Sequence, residues 1–132
     1  MDSYKLSTQE FSAVSRLSGP ERYKHFVKRV ADWAVVWGLR DADGWAAVGD
    51  ENNKFAFPVW PHPDYAVVCA TGEWGKYIAS PIDIHSFIEE WLPNMSQQGV
   101  SLSVFPLPEI KGSIISPLVL QADIQEELSK IE

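Results

Sequence analysis

Three side chains with chemical potential fall close together in the stretch "FPVWPHPDYAVVCATGEW", residues 57–74. His62 can act as a general base, a general acid or a metal ligand. Asp64, two residues on, could orient the imidazole, and Cys69 could supply a nucleophilic thiolate. Together they would make a small hydrolase-like centre of His62 with Asp64 or Cys69. The same residues also have a purely architectural reading. Pro61 and Pro63 hold the backbone extended on either side of His62. Asp64 lies where a helix would start, and a carboxylate there accepts backbone N–H bonds. Cys69 follows Val67 and Val68 on an apolar run, where a free cysteine behaves as a small buried hydrophobe. The second reading has more behind it, so no catalytic residue is assigned; His62, Asp64 and Cys69 are candidates only.

No metal site or cofactor is expected. The other histidines, His25 and His85, sit on separate helical segments, and no His-x-x-x-His or Cys-x-x-Cys spacing occurs. Gly-x-Ser-x-Gly, Gly-x-Gly-x-x-Gly, phosphate-loop, His-Glu-x-x-His and calcium-loop patterns are all missing from the sequence. Two sets of residues suit binding instead. Trp60 and Trp74 bracket the irregular stretch and could form an open aromatic surface with His62. Arg22, Lys24, Lys28 and Arg29 lie on the outer face of a helix over 20–33 and could touch phosphate or an acidic partner.

Local patterns indicate the elements that must carry these residues. Ser7 and Glu10 have capping-box spacing before a short helix over 7–17. Ser18, Pro20 and Glu21 open the clearest helix, where Tyr23, Phe26, Val27 and Val30 form one stripe. Residues 34–39, "AVVWGL", read as a strand covered on both faces. "RDADG" is a turn, "WAAVG" the returning strand, "DENNK" a second turn and "FAFPVW" a third strand that ends, or lies on an edge, at Pro58. "DYAVVCA" makes a short helix stopped near Gly72, and "EWGKYIA" a short strand. "SPIDIHSFIEEWL" is a helix capped by Ser80 or Asp83 and ended by Pro93. In "GVSLSVFPLP", Val100, Leu102 and Val104 face one way and Ser101 and Ser103 the other, so this strand has one wetter face. "GSIIS" partners it. A last helix begins at Ser116 and Pro117, with Leu120, Ile124, Leu128 and Ile131 as its stripe.

The expected fold is α+β, one domain over residues 1–132. An antiparallel sheet of about five strands, a meander over 34–60 plus strands near 100–106 and 112–115, packs with four to five helices. Ordinary globular composition and 132 residues suit a core that needs no staple. One cysteine excludes an intramolecular disulfide and favours a reducing compartment. With no signal-like or membrane-spanning run, the expectation is a cytoplasmic protein. The net charge is −7, with +3 on residues 1–29 and −10 on the rest, which argues against nucleic-acid binding by most of the surface and suits a basic protein partner.

The segments "ERYKHFVKRVADW", "VWGL", "DGWA", "FPVWPHPDYAVVCA", "IDIHSFIEEWLP", "GVSLSVFPLP" and "SPLVLQADIQEEL" together resemble the bacterial domain of unknown function 2750 (DUF2750), from about Pro20 to Leu128. The resemblance implies a small single-domain protein and carries over no catalytic residue. The functional expectation is a non-enzymatic interaction, adaptor or inhibitor module. The alternatives are the hydrolase and a phosphate or nucleic-acid contact through the basic helix.

Overall fold

The computed structural model describes residues 4–49 and 55–131, so the turn expected at "DENNK" lies outside the described residues. Helix α1 (Thr8–Ser15) starts where the Ser7 hydroxyl accepts the Glu10 amide at 3.0 Å. Helix α2 (Gly19–Trp33) begins with a full capping box between Ser18 and Glu21 and ends at Ala34, which is left-handed at φ 58°. Its stripe buries Phe26, Val27 and Val30.

Strand β1 (Val35–Asp41) follows, buried on both faces through Leu39. The Asp41 carboxylate accepts the Asp43 and Gly44 amides at 2.9 and 3.0 Å, closing the turn into β2 (Gly44–Trp45). Strands β3 (Val48–Gly49) and β4 (Phe55–Val59) form a second antiparallel pair. Helix α3 (Pro63–Cys69) and one 3-10 turn (Gly72–Trp74) lead to β5 (Ile78–Asp83). Helix α4 (Ile84–Ser86) runs through a π-helical stretch (Phe87–Trp91) into α5 (Leu92–Gln98). Strands β6 (Ser101–Val104) and β7 (Ser113–Ile115) and helix α6 (Pro117–Ile131) complete the chain.

The fold is α+β, but the strands divide between two sheets. One has the order β2-β1-β5, the other β3-β4-β6-β7. The expected meander breaks because one edge of β1 is taken by β5 and the other is shared. β2 occupies that edge at Arg40 and Asp41, while Trp37 exchanges two hydrogen bonds with Trp60, at 2.8 and 3.0 Å, and so ties the two sheets together. β4 and β6 are parallel, which local sequence spacing cannot reveal.

The prolines explain the other departures. Pro58 lies in an interior strand, but β3 pairs only with Phe55 and Ala56, so β4 has lost that neighbour by Pro58. Pro81 stands opposite Trp37, whose N–H and C=O are already given to Trp60, so its missing donor costs no ladder bond. Pro93 does not end its helix. It sits two residues after the π-helical stretch, whose wider turn relieves the clash a proline makes with the preceding carbonyls, and the helix runs on to Gly99 at φ 71°. The helix is capped by Asp83, which accepts the His85 and Ser86 amides at 3.0 and 3.1 Å. "EWGKYIA" is a 3-10 turn for its first half, and the strand begins only at Ile78.

The core gathers α2, α6, the π-helical stretch and the inner faces of both sheets around Phe26, Trp60, Tyr65, Phe87, Phe105 and Ile124. On α6, Leu120 and Ile124 are buried and Leu128 partly so, while Ile131 lies exposed beyond the core.

Candidate functional site

The proline-flanked histidine is a helix cap. His62 is the residue before α3, and its backbone is extended at φ −151° and ψ 144°. The Asp64 amide donates to Nδ1 at 3.1 Å. Because Nδ1 accepts, the proton sits on Nε2, which donates to the Tyr4 carbonyl at 2.6 Å. His62 is 3% exposed, so both nitrogens are used by backbone and shielded from solvent. The Asp64 carboxylate lies 3.8 Å from Nδ1 but points largely into water. It neither orients the ring through a hydrogen bond nor faces a shared cavity with it.

Cys69 faces elsewhere. It and the indole N–H of Trp60 both donate to the Pro106 carbonyl, at 3.5 and 2.7 Å. Burial pushes the thiol up to about 11, partly offset by the Trp60 contact, so little thiolate exists near neutral pH. Trp60 was expected at an open aromatic surface, but it is completely buried. Its large ring fills the junction where its own backbone joins the two sheets. Trp74 meets it edge-on at 6.5 Å and is only partly buried.

Trp74 and Cys69 border a cleft of about 860 Å³ that His62 does not line. Its floor is the outer face of the four-stranded sheet. In the strand register, Phe57, Leu102 and Ile115 alternate with Ala56, Ser103 and Ile114. The first set packs toward the core; the second, with Val48, borders the cleft. One wall is Cys69, Thr71 and Trp74, and the other is the loop over 106–112. Apolar atoms dominate, and Ile110 and Ile114 are about half exposed, at 46% and 54%.

The loop is held in an unusual shape. Leu107 and Ile110 exchange backbone hydrogen bonds at 2.9 Å across Pro108 and Glu109. Glu109 has φ 67°, the left-handed value a type II turn requires after its proline and one that non-glycine residues adopt at a cost of about 1 kcal/mol. Phe105, at the start of the segment, is also left-handed at φ 59°. Gly112 sits so close to β6 that a Cβ there would lie 2.7 Å from the Ser103 hydroxyl and 2.8 Å from the Val104 carbonyl.

Arg22 holds the loop from behind. A helical stripe places it on the outer face of α2, yet it is 4% exposed. Its guanidinium donates to the Leu17 carbonyl at 2.8 Å and to the Phe105 and Lys111 carbonyls at 3.4 Å each. The α1–α2 junction and both ends of the loop therefore meet at one side chain. The expected basic patch shrinks accordingly. Arg29 pairs with Glu10 at 3.7 Å and lies over the Tyr4 ring at 5.1 Å, which leaves Lys24 and Lys28 as its exposed members.

The structure thus separates the residues grouped by sequence. Trp74 and Cys69 reach the cleft; Trp60 supports it from below; Arg22 supports its loop; His62 and Asp64 belong to another corner. Val48, Ala56, Ser103, Ile110 and Ile114 were not singled out. The alternation of Ser101 and Ser103 with valine and leucine was the one signal for that face. Among the described residues, no group of three or more His, Cys, Asp or Glu could hold a metal ion. No helix among them is long and apolar enough to cross a membrane.

A family model described as a protein of unknown function (DUF2750) matches residues 23–124 of the 132. Neither the curated proteins nor the solved structures contain a match to the chain.

Proposed function

We propose that this chain, which belongs to the DUF2750 family, is a non-enzymatic protein-interaction module that seats an apolar segment of a partner protein in the cleft over its four-stranded sheet. The observation that carries this reading is the cleft itself: about 860 Å³, mainly apolar, walled by Trp74 and by a loop pinned in a strained shape. A preformed apolar groove lowers the ordering cost of binding, and a tryptophan at its side is a favoured anchor. The acidic balance of residues 30–132 and the exposed Glu109 suit a partner whose apolar segment is flanked by lysine or arginine.

The hydrolase reading draws less support. It needs His62 within reach of Asp64 or Cys69 in a water-accessible space, and both ring nitrogens already serve backbone groups. The phosphate reading retains only Lys24 and Lys28 as exposed cations of its original four.

A displayed peptide library selected against the purified chain tests the proposal. Selected peptides should be apolar with basic flanks. They should shift the amide resonances of Ser103, Ile110 and Ile114, and bind Ile114→Asp at least about tenfold more weakly, as expected for loss of a central apolar contact. No selectable peptide, or peptides that map to α2 instead, would count against it.

A further inference from the structure

A second polar feature lies away from the cleft, where three helices meet the N-terminal segment. Four polar atoms there are buried and have no hydrogen-bond partner: the hydroxyls of Tyr4 and Tyr65, Oε2 of Glu10, and Nε2 of His25. They come from the segment before α1, from α3, from α1 and from α2 respectively. Arg29, also on α2, reaches two of them, 3.7 Å from that same Glu10 oxygen and 5.1 Å from the Tyr4 ring centre. The His62 ring stands between the two tyrosines, 4.6 Å from Tyr4 and 6.3 Å from Tyr65, and His25 lies one helical turn before Arg29 on α2. Tyr65 is completely buried, held by a stacked Phe11 at 4.9 Å and a tilted Phe105 at 4.7 Å.

A buried polar atom without a partner costs on the order of 1–3 kcal/mol. Three such atoms beside a carboxylate oxygen that has an ion pair but no hydrogen bond would be a heavy cost in a small domain, and shared internal solvent is the usual remedy. We infer that Tyr4, Glu10, His25 and Tyr65 line an internal water site, in which one or more ordered waters join α1, α2 and α3 beneath the N-terminal segment. The donor set selects the ligand. Glu10 disfavours an anion and Arg29 disfavours a cation. The two phenols, the carboxylate and the imidazole nitrogen call for a small neutral species that both donates and accepts, as water does.

The site has a structural role distinct from the cleft. The Tyr4 carbonyl receives the His62 N–H, so the segment closing the water site is the one that seals the histidine corner. Water here would bind the N-terminal segment to the helices that shield His62.

Oxygen-17 magnetic relaxation dispersion on the full chain tests this. The wild type should show long-lived internal water, and a Tyr65→Phe, Glu10→Leu double variant should lose part or all of that signal. Tyr65→Phe alone retains the stacked ring, and a smaller loss is expected from it. No long-lived water in the wild type, or an unchanged signal in the double variant, overturns the inference. If the double variant does not fold, a high-resolution crystal structure of the wild type decides. Ordered water bonded to the Tyr65 hydroxyl supports the site, and a direct Tyr65–Glu10 hydrogen bond with no water between removes it.

Discussion

The histidine corner and the sheet cleft hold opposite lessons. The corner contains the residue types that do chemistry, yet every reactive atom of His62 is spent on backbone and hidden from water. The cleft is lined mostly by residues that suggest no chemistry, such as Ala56, Pro106, Ile110 and Ile114, with the thiol of Cys69 in one wall, yet it is an open concave surface. The proline-flanked backbone and the helix start at Asp64 already favour architecture for the corner, whereas no residue type marks the cleft. What separates them is the satisfaction of polar atoms. A group whose hydrogen bonds are complete serves architecture, and a preformed apolar space makes few polar demands on whatever enters it.

The contrast breaks most sharply at His62. His62→Ala removes two buried hydrogen bonds, a helix cap and a buried ring, and should cost about 3 kcal/mol of unfolding free energy in urea titration. A His62→Ala protein with unchanged stability would mean that the corner is not structural. On the cleft side, Gly112→Ala should cost about 2 kcal/mol, because its methyl group would meet the Ser103 hydroxyl and the Val104 carbonyl. It should also accelerate amide exchange at Leu107 and Ile110, whose mutual bonds define the loop. Trp74→Ala should lower stability by only about 1 kcal/mol, since Trp74 is partly exposed, while abolishing binding of the selected peptides. If peptide binding survives Trp74→Ala, the cleft is not the docking surface.

The smallest effect concerns pH. Burial, then the positive charges of Arg29 and Lys28, lower the His25 pKa below its ordinary 6.5, against the opposing pull of Glu10. A histidine depressed in the folded state binds its proton more readily when unfolded. Its contribution to stability is therefore full above about pH 6.5 and is lost as pH falls through the lower folded value. Chemical denaturation at stepped pH should show this fall, and His25→Phe should flatten it. A slope unchanged by His25→Phe would assign the fall to other groups.

Much of the architecture was written locally. Ser7, Ser18 with Glu21, and Ser116 announce helix starts by chemistry that acts over three residues, and all three hydroxyls cap as their spacing implies. The alternation of Ser101 and Ser103 with Leu102 and Val104 distinguishes the two faces of β6, but the serine face is not the wetter one at Ser103, which is buried like its apolar neighbours. Long-range facts were hidden. Arg22 occupies a solvent-facing position on a helical wheel, and only the arrival of residues 105–111 in space buries it. Trp60 reads as exposed beside three prolines until its backbone is seen bonded to Trp37, 23 positions away. Pro93 reads as a stop until the π-helical turn before it is known.

The parallel partnership of β4 with β6 has a consequence for assembly. Residues 60–100 must be spanned before Val59 can lie beside Val104, and β5, within that interval, belongs to the other sheet. Closing so long a loop is entropically costly, so such pairings form late. During synthesis the floor of the cleft cannot exist until β6 and β7 have left the ribosome. A chain arrested near residue 100 would carry the residues of the histidine corner but neither β6 nor β7, and so no cleft.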